Sequence, residues 1–187
     1  EIMRAPDAAI PDKLLRQCAG LAIVPGMVKA GFIVGGKYGE GVILTRNSAG
    51  GWNGPAFIII AGGSLGWQIG VQSIDLVLVI MKQSGVKSLI ESQVELGVDV
   101  SVAAGPVGRQ AGAGGDVTFK SAVYSYSRAK GLFAGVSVEG MGVDPDDDLS
   151  ERYYGQLLTA EEILFQGQGI KPETGNKLVE TIERYAK

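Results

Sequence analysis

Short apolar runs separated by glycine and polar residues fill most of the chain up to about residue 140. Runs of this length, rich in isoleucine and valine and bounded by turn residues, are typical of β-strands. Residues 32–34 and 41–46 predict a hairpin around the sequence GGKYGE, and residues 47–55 have the composition of a turn. The other predicted strands are residues 21–24, 57–60, 65–71, 76–80, 98–103, 117–127 and 132–139.

Amphipathic segments near both ends of the chain predict helices. Residues 10–19 place Leu14, Leu15 and Cys18 on one side of a helix. A final helix over residues 172–187 carries an apolar stripe at helical spacing. The stripe consists of Leu178, Ile182 and Tyr185.

Three further helical signals lie between these ends. Residues 86–92 have helical apolar spacing, and Asp147 or Ser150 is positioned to cap a helix that ends near Gly155. Thr159, followed three residues later by Glu162, has the spacing of a capping box.

This alternation predicts an α+β fold, with an antiparallel strand-rich barrel or strongly coiled sheet and short helices at both ends. We expect residues 1–187 to form a single domain, since no linker or repeat interrupts the pattern. Residues 55–81 are almost uncharged and place Gly62, Gly66 and Gly70 at the spacing of packed membrane helices. Polar residues and glycines break this stretch, which favours strand, turn and strand over a spanning helix.

The composition narrows the possible chemistry. The chain of 187 residues has 45% hydrophobic residues, a net charge of -3 and no histidine. It therefore lacks the usual general base and a global basic field that would hold nucleic acid. Glycine, at 29 residues, occurs at roughly twice its usual share, which suggests bulges and close strand approach. The one cysteine, Cys18, is predicted to be a small buried hydrophobe.

Motifs for phosphate, metal and catalysis are incomplete. The Walker and dinucleotide fingerprints are absent from the sequence. Asp144, Asp146 and Asp148 begin like a calcium loop, but Leu149 replaces the required glycine. These acids are instead predicted to mark the start of a helix. No cofactor, metal or enzymatic activity is expected.

Basic residues at predicted turns and helix faces are the remaining candidates for a site. Arg128 and Lys130 lie in the turn SRAKG between an aromatic strand and an apolar strand, where they are suited to holding an anion. In an alternative interpretation, Arg128 holds a carboxylate such as Asp99 or Asp116, which would move the binding site elsewhere. The full candidate set for lipid binding is Lys13, Arg16, Lys29, Lys37, Arg46, Arg109, Arg128 and Lys130.

An ordered series of segments over residues 10–167 resembles the SYLF-domain family, a lipid-binding family that includes yeast actin-patch regulators. The matching segments include AGLAIVP at 19–25, KAGF at 29–32, GWNGP at 51–55, SVAAGPVGR at 101–109 and YSRAKGLFAGV at 126–136. The resemblance implies binding to phosphoinositides or other anionic lipids, and actin binding in eukaryotic relatives. The chain is similar to stand-alone bacterial members, because it has no room for the SH3 or FYVE domain that eukaryotic relatives usually add.

The expected function is non-catalytic binding of anionic lipid headgroups at a membrane surface, with basic residues beside apolar and aromatic groups. Such a protein would be peripheral to a membrane, and periplasmic or part of the cell envelope if bacterial. Two alternatives stay open: a protein-interaction module that binds actin or scaffolds an envelope, and a carrier of a small apolar ligand.

Overall fold

Two very long antiparallel strands organise the molecule, here a computed structural model that describes residues 9–106, 121–129, 132–133 and 137–186. Strand β1 spans Gly20–Arg46 and strand β2 spans Trp52–Ile80. They pair from Arg46 opposite Trp52 to Gly20 opposite Ile80, with register shifts at three places. The predicted short strands in this region are therefore segments of two continuous strands.

The predicted hairpin around residues 35–40 is wrong. The chain continues through the GGKYGE segment as part of β1, paired with residues 59–64 of β2. The reversal occurs at residues 47–51 instead, where the Asn47 side-chain oxygen accepts hydrogen bonds from the backbone N–H groups of Ala49 and Gly51 at 3.1 and 3.0 Å. An asparagine that bonds the backbone two residues ahead is a turn former, whereas the earlier glycines allow the strand to bend.

Five shorter strands complete a seven-stranded sheet within the described residues. They are β3 Val94–Glu95, β4 Val102–Ala104, β5 Val123–Ala129, β6 Leu132–Phe133 and β7 Met141–Pro145. Strand β5 pairs with the second half of β2, and β7 pairs with its first half. Strands β3 and β6 extend the sheet by antiparallel pairing, and β4 pairs with β5 in parallel.

The long hairpin curls until the two ends of β1 touch. The backbone N–H of Arg46 donates to the carbonyl of Ala19 at 2.8 Å, and the Thr45 hydroxyl donates to the same carbonyl at 2.9 Å. Gly41 lies so close to the start of the strand that a methyl group on it would be 2.5 Å from the carbonyl oxygen of Ile23. This close approach explains some of the glycine excess and confirms the predicted strongly coiled sheet with helices at both ends.

In the part of the chain that the structure describes, five helices pack on the sheet. They are α1 Asp12–Gln17, α2 Gln83–Leu89, α3 Asp147–Tyr154, α4 Ala160–Phe165 and α5 Glu173–Tyr185. Helix α2 begins and ends three residues before the predicted 86–92 segment. The capping box is confirmed, because the Thr159 hydroxyl accepts from the Glu162 N–H while the Glu162 carboxylate accepts from the Thr159 N–H.

The acidic segment before α3 has structural roles. Asp146 is the N-cap, and its carboxylate accepts a hydrogen bond from the Leu149 N–H at 2.9 Å. Asp144 accepts from the Gln93 N–H at 2.7 Å. The helix-start interpretation is therefore confirmed, although the cap lies one residue before the predicted Asp147. Gly155 ends the helix in the left-handed conformation at φ 71°, as expected of a C-cap.

Two other predicted strands are shorter than expected. Within 98–103, only the last two residues belong to β4, because Gly97 at φ 88° turns the chain and Leu96 bridges to Val100. Within 132–139, strand β6 covers 132–133, residues 134–136 lie outside the described residues, and residues 137–139 do not belong to a strand. Residues 117–120 of the predicted 117–127 strand lie outside the described residues.

Apolar side chains form two clusters, one inside the curled sheet and one outside it. The inner cluster joins both long strands to α2 and α4 through residues such as Val24, Ile58 and Leu76. The outer cluster joins Leu21 and Val79 of the sheet to α1 and α5. Among the described residues, no helix is both long enough and apolar enough to cross a membrane.

Candidate functional site

The candidate basic residues are distributed over separate parts of the fold. Lys13 and Arg16 are exposed on α1, and Lys29 and Lys37 lie on β1 on either side of its bend. Arg46 ends β1, and Arg128 lies on β5. Arg109 and Lys130 are outside the described residues, so the SRAKG turn can be followed only as far as Ala129, the last residue of β5.

Lys37 is the most constrained of these lysines. Its side chain is buried, at 9% exposure, and Nζ donates to the carbonyl oxygen of Ser137 at 2.6 Å. Burial lowers the pKa of Lys37, and the positive charge of Lys29 lowers it further. Val28 and Val71, at 45% and 71% exposure, lie on the face of the strand pair opposite Lys29, because successive strand residues alternate between the two faces. We call the face that carries Lys29 and Lys37, on either side of the register shift between Gly31 and Ile33, the bend surface.

Arg46 ties the two terminal helices to the sheet. Its guanidinium donates to the carbonyl oxygens of Leu15, Cys18 and Ala186 at 3.0–3.3 Å, and it lies 4.6 Å from the centre of the Trp52 ring. A side chain with this many backbone partners is held for the fold. A lipid headgroup would have to compete with these carbonyls for the same donors.

Arg128 lies opposite Asp75 in the antiparallel pair of β5 and β2. Asp99, the partner considered from the sequence, instead accepts a hydrogen bond from the Glu95 N–H at 2.8 Å. The other candidate, Asp116, is outside the described residues. The register places Asp75 opposite Arg128 in the sheet.

The aromatic half of the same segment belongs to the outer cluster. Tyr126 is 1% exposed and its hydroxyl donates to the carbonyl of Pro106 at 3.1 Å. Burial raises the pKa of Tyr126 far above its ordinary value, so it stays a neutral phenol. Its ring leaves no room for a side chain at Gly105, where an added methyl would lie 2.1 Å from the ring. Tyr126 is thus a packing residue.

An apolar groove of about 550 Å³ lies between α1 and α5 on the outer face of the sheet. Its floor is formed by the first segment of β1 and the last segment of β2, and the two helices form its walls. Two charged side chains, Asp75 and Arg184, line it among apolar ones. We call this the α1–α5 groove, and its main lining residues are Leu15, Ile23, Val77, Leu178, Ile182 and Arg184.

Reasoning from the sequence found the apolar stripes of both helices but not this groove. The stripe of α5, with Leu178 and Ile182, and that of α1, with Leu15, were each recognised as core-facing. Their meeting depends on contacts between residues more than 150 positions apart, which no local pattern encodes. One signal in the sequence could have indicated the groove: residues 21–24 and 76–80 are apolar at consecutive positions. Both faces of those strands therefore have to be buried by other elements.

These features define a coiled-sheet α+β domain whose outer face carries an apolar groove. Residues 61–185 match the family model Ysc84, described as Las17-binding protein actin regulator. The chain belongs to the Ysc84 family, which confirms the resemblance to SYLF-domain proteins.

Relatives in yeast and vertebrates are similar over most of the chain. LAS seventeen-binding protein 3 of Saccharomyces cerevisiae is 41% identical over 161 residues, which cover 84% of this chain and 35% of the relative. Protein YSC84 of the same yeast is 38% identical over 183 residues, or 96% of this chain and 39% of the relative. SH3 domain-containing YSC84-like protein 1 of Xenopus laevis is 36% identical over 184 residues, covering 96% and 54%. The chain therefore spans about half or less of these relatives.

Proposed function

We propose that this chain is a non-catalytic domain that takes part in actin regulation by binding a protein partner. Actin filaments are the first partner to test. The observation that carries the proposal is the match of residues 61–185 to a family described as an actin regulator. The name of one yeast relative, LAS seventeen-binding protein 3, supports a protein partner in the same way. This is the protein-interaction alternative considered from the sequence.

The roles of the carboxylates support a binding domain over an enzyme. Asp75 accepts a hydrogen bond from the Gly26 N–H at 2.9 Å, and Asp99 accepts one from the Glu95 N–H at 2.8 Å. Asp146 caps α3. Each of these acids is used to hold backbone geometry, which is what a carboxylate at a turn or helix start commonly does.

Co-sedimentation with actin filaments tests the proposal directly. The purified chain should pellet in proportion to the filament concentration and reach saturation, while a sample without filaments stays in the supernatant. Binding should survive moderate salt if apolar contacts contribute, and fall steeply if only surface charges do. A chain that stays in the supernatant at a large excess of filaments would rule out actin as the partner.

Anionic lipid is the second candidate, favoured by the bend surface. Two lysines there lie within electrostatic reach of each other, and the carbonyl of Ser137 is the hydrogen-bond partner of the buried one. A pair of neighbouring cations suits the surface of an anionic membrane. The proposal keeps the lipid interpretation but centres it on Lys29 and Lys37.

Vesicle flotation separates the two candidates. Neutral vesicles should leave the chain behind, and vesicles with about 20% anionic lipid should carry it upward. Lys29→Glu should weaken flotation, whereas Lys177→Glu, with the same change in net charge on exposed α5, should have little effect. Equal flotation of both variants, or no difference between the two kinds of vesicle, would contradict a lipid site at the bend surface.

A further inference from the structure

We propose that the α1–α5 groove binds a single-chain amphiphile with an anionic head, of the fatty-acid type. The hydrocarbon chain would lie along the sheet between the helices, and its carboxylate would pair with Arg184. This site is separate from the bend surface and does not depend on actin or vesicle binding.

The floor of the groove is apolar surface that the helices leave uncovered. Ile23 and Val77 are cross-strand partners on the outer face, and both stay partly exposed. Their neighbours along the same face, Leu21 and Val79, are only 3% and 0% exposed. Helices α1 and α5 therefore cover the Leu21–Val79 pair almost completely and leave the next pair, Ile23–Val77, partly exposed.

The size and lining of the groove suit a small ligand. Its volume of about 550 Å³ falls within the ~300–1,000 Å³ range of ligand sites, which are mostly apolar with a few polar groups that fix orientation. Leu178 and Ile182 of α5 and Leu15 of α1 all line it. A groove of this volume suits one hydrocarbon chain better than the paired chains of a membrane phospholipid.

The charges favour an acidic head. The Asp75 carboxylate is used by the Gly26 N–H and faces Arg128 across the strand pair. Arg184 is exposed on the last turn of α5, and its side chain forms no hydrogen bond or salt bridge with any other residue that the structure describes. A carboxylate is the natural bidentate partner of a guanidinium. Arg184 is thus the group on the groove that is positioned to select the ligand.

The exposed face of α5 allows the groove to be filled without changing the core. Thr181 lines the groove, yet it is exposed and its hydroxyl donates to the Lys177 carbonyl of its own helix. Thr181→Trp should place an indole in the groove. Glu180→Trp, one residue earlier and not part of the lining, is the matched control for adding a tryptophan to α5.

Titration with cis-parinaric acid, a fluorescent fatty acid, in the absence of vesicles and below its aggregation threshold tests the site. We expect saturable one-to-one binding to the full chain, with displacement by palmitate and weak displacement by octanoate or hexadecylamine. Thr181→Trp should abolish binding while Glu180→Trp retains it. Arg184→Glu should weaken palmitate binding about tenfold, and the control Lys177→Glu should not.

Circular dichroism of each variant establishes that it is folded before binding is compared, and native mass spectrometry gives the stoichiometry. Absence of saturable binding to the parent chain would overturn the proposal. So would equal binding in Thr181→Trp and Glu180→Trp, or an unchanged palmitate affinity in Arg184→Glu. Equal displacement by hexadecylamine and palmitate would exclude the carboxylate pairing and overturn the proposal as stated.

Discussion

Replacing Gly41 with alanine tests whether the curl of β1 is the reason for its glycines. Gly41 pairs with Ile58 in ordinary strand conformation, so the backbone itself would accept alanine. The obstacle is the other end of the same strand. The new methyl would lie 2.5 Å from the carbonyl oxygen of Ile23 and 2.7 Å from Cγ2 of Val24, which is closer than real contacts allow.

The expected cost follows from these distances. Extra methyl groups in a well-packed region usually destabilise by about 1–3 kcal/mol, and here one of the clashing atoms belongs to the backbone. Alanine recovers about 0.4–1 kcal/mol by restricting the unfolded chain. Taking the middle of each range, the net loss is about 1.3 kcal/mol, which should lower the melting temperature by roughly 3–5 °C for a chain of this size.

Thermal and urea unfolding, followed by circular dichroism, measure this effect against a matched control. Gly63→Ala adds the same methyl to β2 at an exposed position, where no described atom lies within 4 Å of it. That variant should melt at or above the temperature of the parent chain. If Gly41→Ala were as stable as the parent, or if both variants lost the same stability, the close approach of the two ends of β1 would not be the cause.

Three further predictions concern the capping box of α4, the Cys18 thiol and the hydrogen bonds of Arg46. The backbone N–H of Thr159 and, with a smaller effect, its hydroxyl donate hydrogen bonds to the Glu162 carboxylate. These bonds lower the pKa of Glu162 below its ordinary value of 4.5. The resulting stabilisation is present above pH 4.5 and disappears as the pH falls through the lower pKa of the folded state. In urea unfolding, Glu162→Ala should therefore be less stable than the parent at neutral pH. In strong acid the two chains should be equally stable. Burial raises the pKa of Cys18 from 9.0 to about 11, which predicts about hundredfold slower alkylation by iodoacetamide at pH 8 in the native chain than in urea; equal rates would contradict its burial. Arg46→Ala should cost about 2–3 kcal/mol in urea unfolding because it leaves backbone carbonyls of both terminal helices without their charged donor, whereas exposed Lys13→Ala should stay within about 0.5 kcal/mol.

Local structure was the part of the fold that the sequence predicted well. The capping box at Thr159, the left-handed Gly155 and the buried side of α1 each depend on residues within one or two turns of each other. Hydrogen bonds of this range are formed by neighbouring residues in almost any context. Predictions at this level therefore carry over directly to the folded chain.

The long strands were predicted only as fragments. A glycine-rich segment such as residues 35–41 resembles a turn, because glycine is the residue that turns require most often. In the folded chain the same segment pairs with residues 58–64, and its glycines serve the curl of the strand rather than a reversal. A bend in a paired strand and a hairpin turn use the same residue type, and only the long-range partner distinguishes them.

The candidate site was the least predictable part. Basic residues look alike in a sequence, but the fold gives them different tasks: Arg46 holds backbone carbonyls, Arg128 faces Asp75, and Lys37 is buried against a carbonyl. The sequence supplies the charge of a side chain and not its partners. The basic residues that are available to bind a ligand can therefore be identified only after the fold shows which basic residues already have partners.

The curl of the sheet and the groove have a common physical origin. Where β1 and β2 are apolar at consecutive positions, alternate side chains point inward and outward. The curled hairpin encloses the inward set, which includes Val24 and Leu76. The outward set then has to be covered by other elements, and the short α1 and the C-terminal α5 cover it completely at Leu21 and Val79 but only partly at Ile23 and Val77. Helix α1 has six residues and α5 has thirteen, and together they leave the Ile23–Val77 pair partly exposed, so the residues that border this gap are the ones that contact whatever fills it.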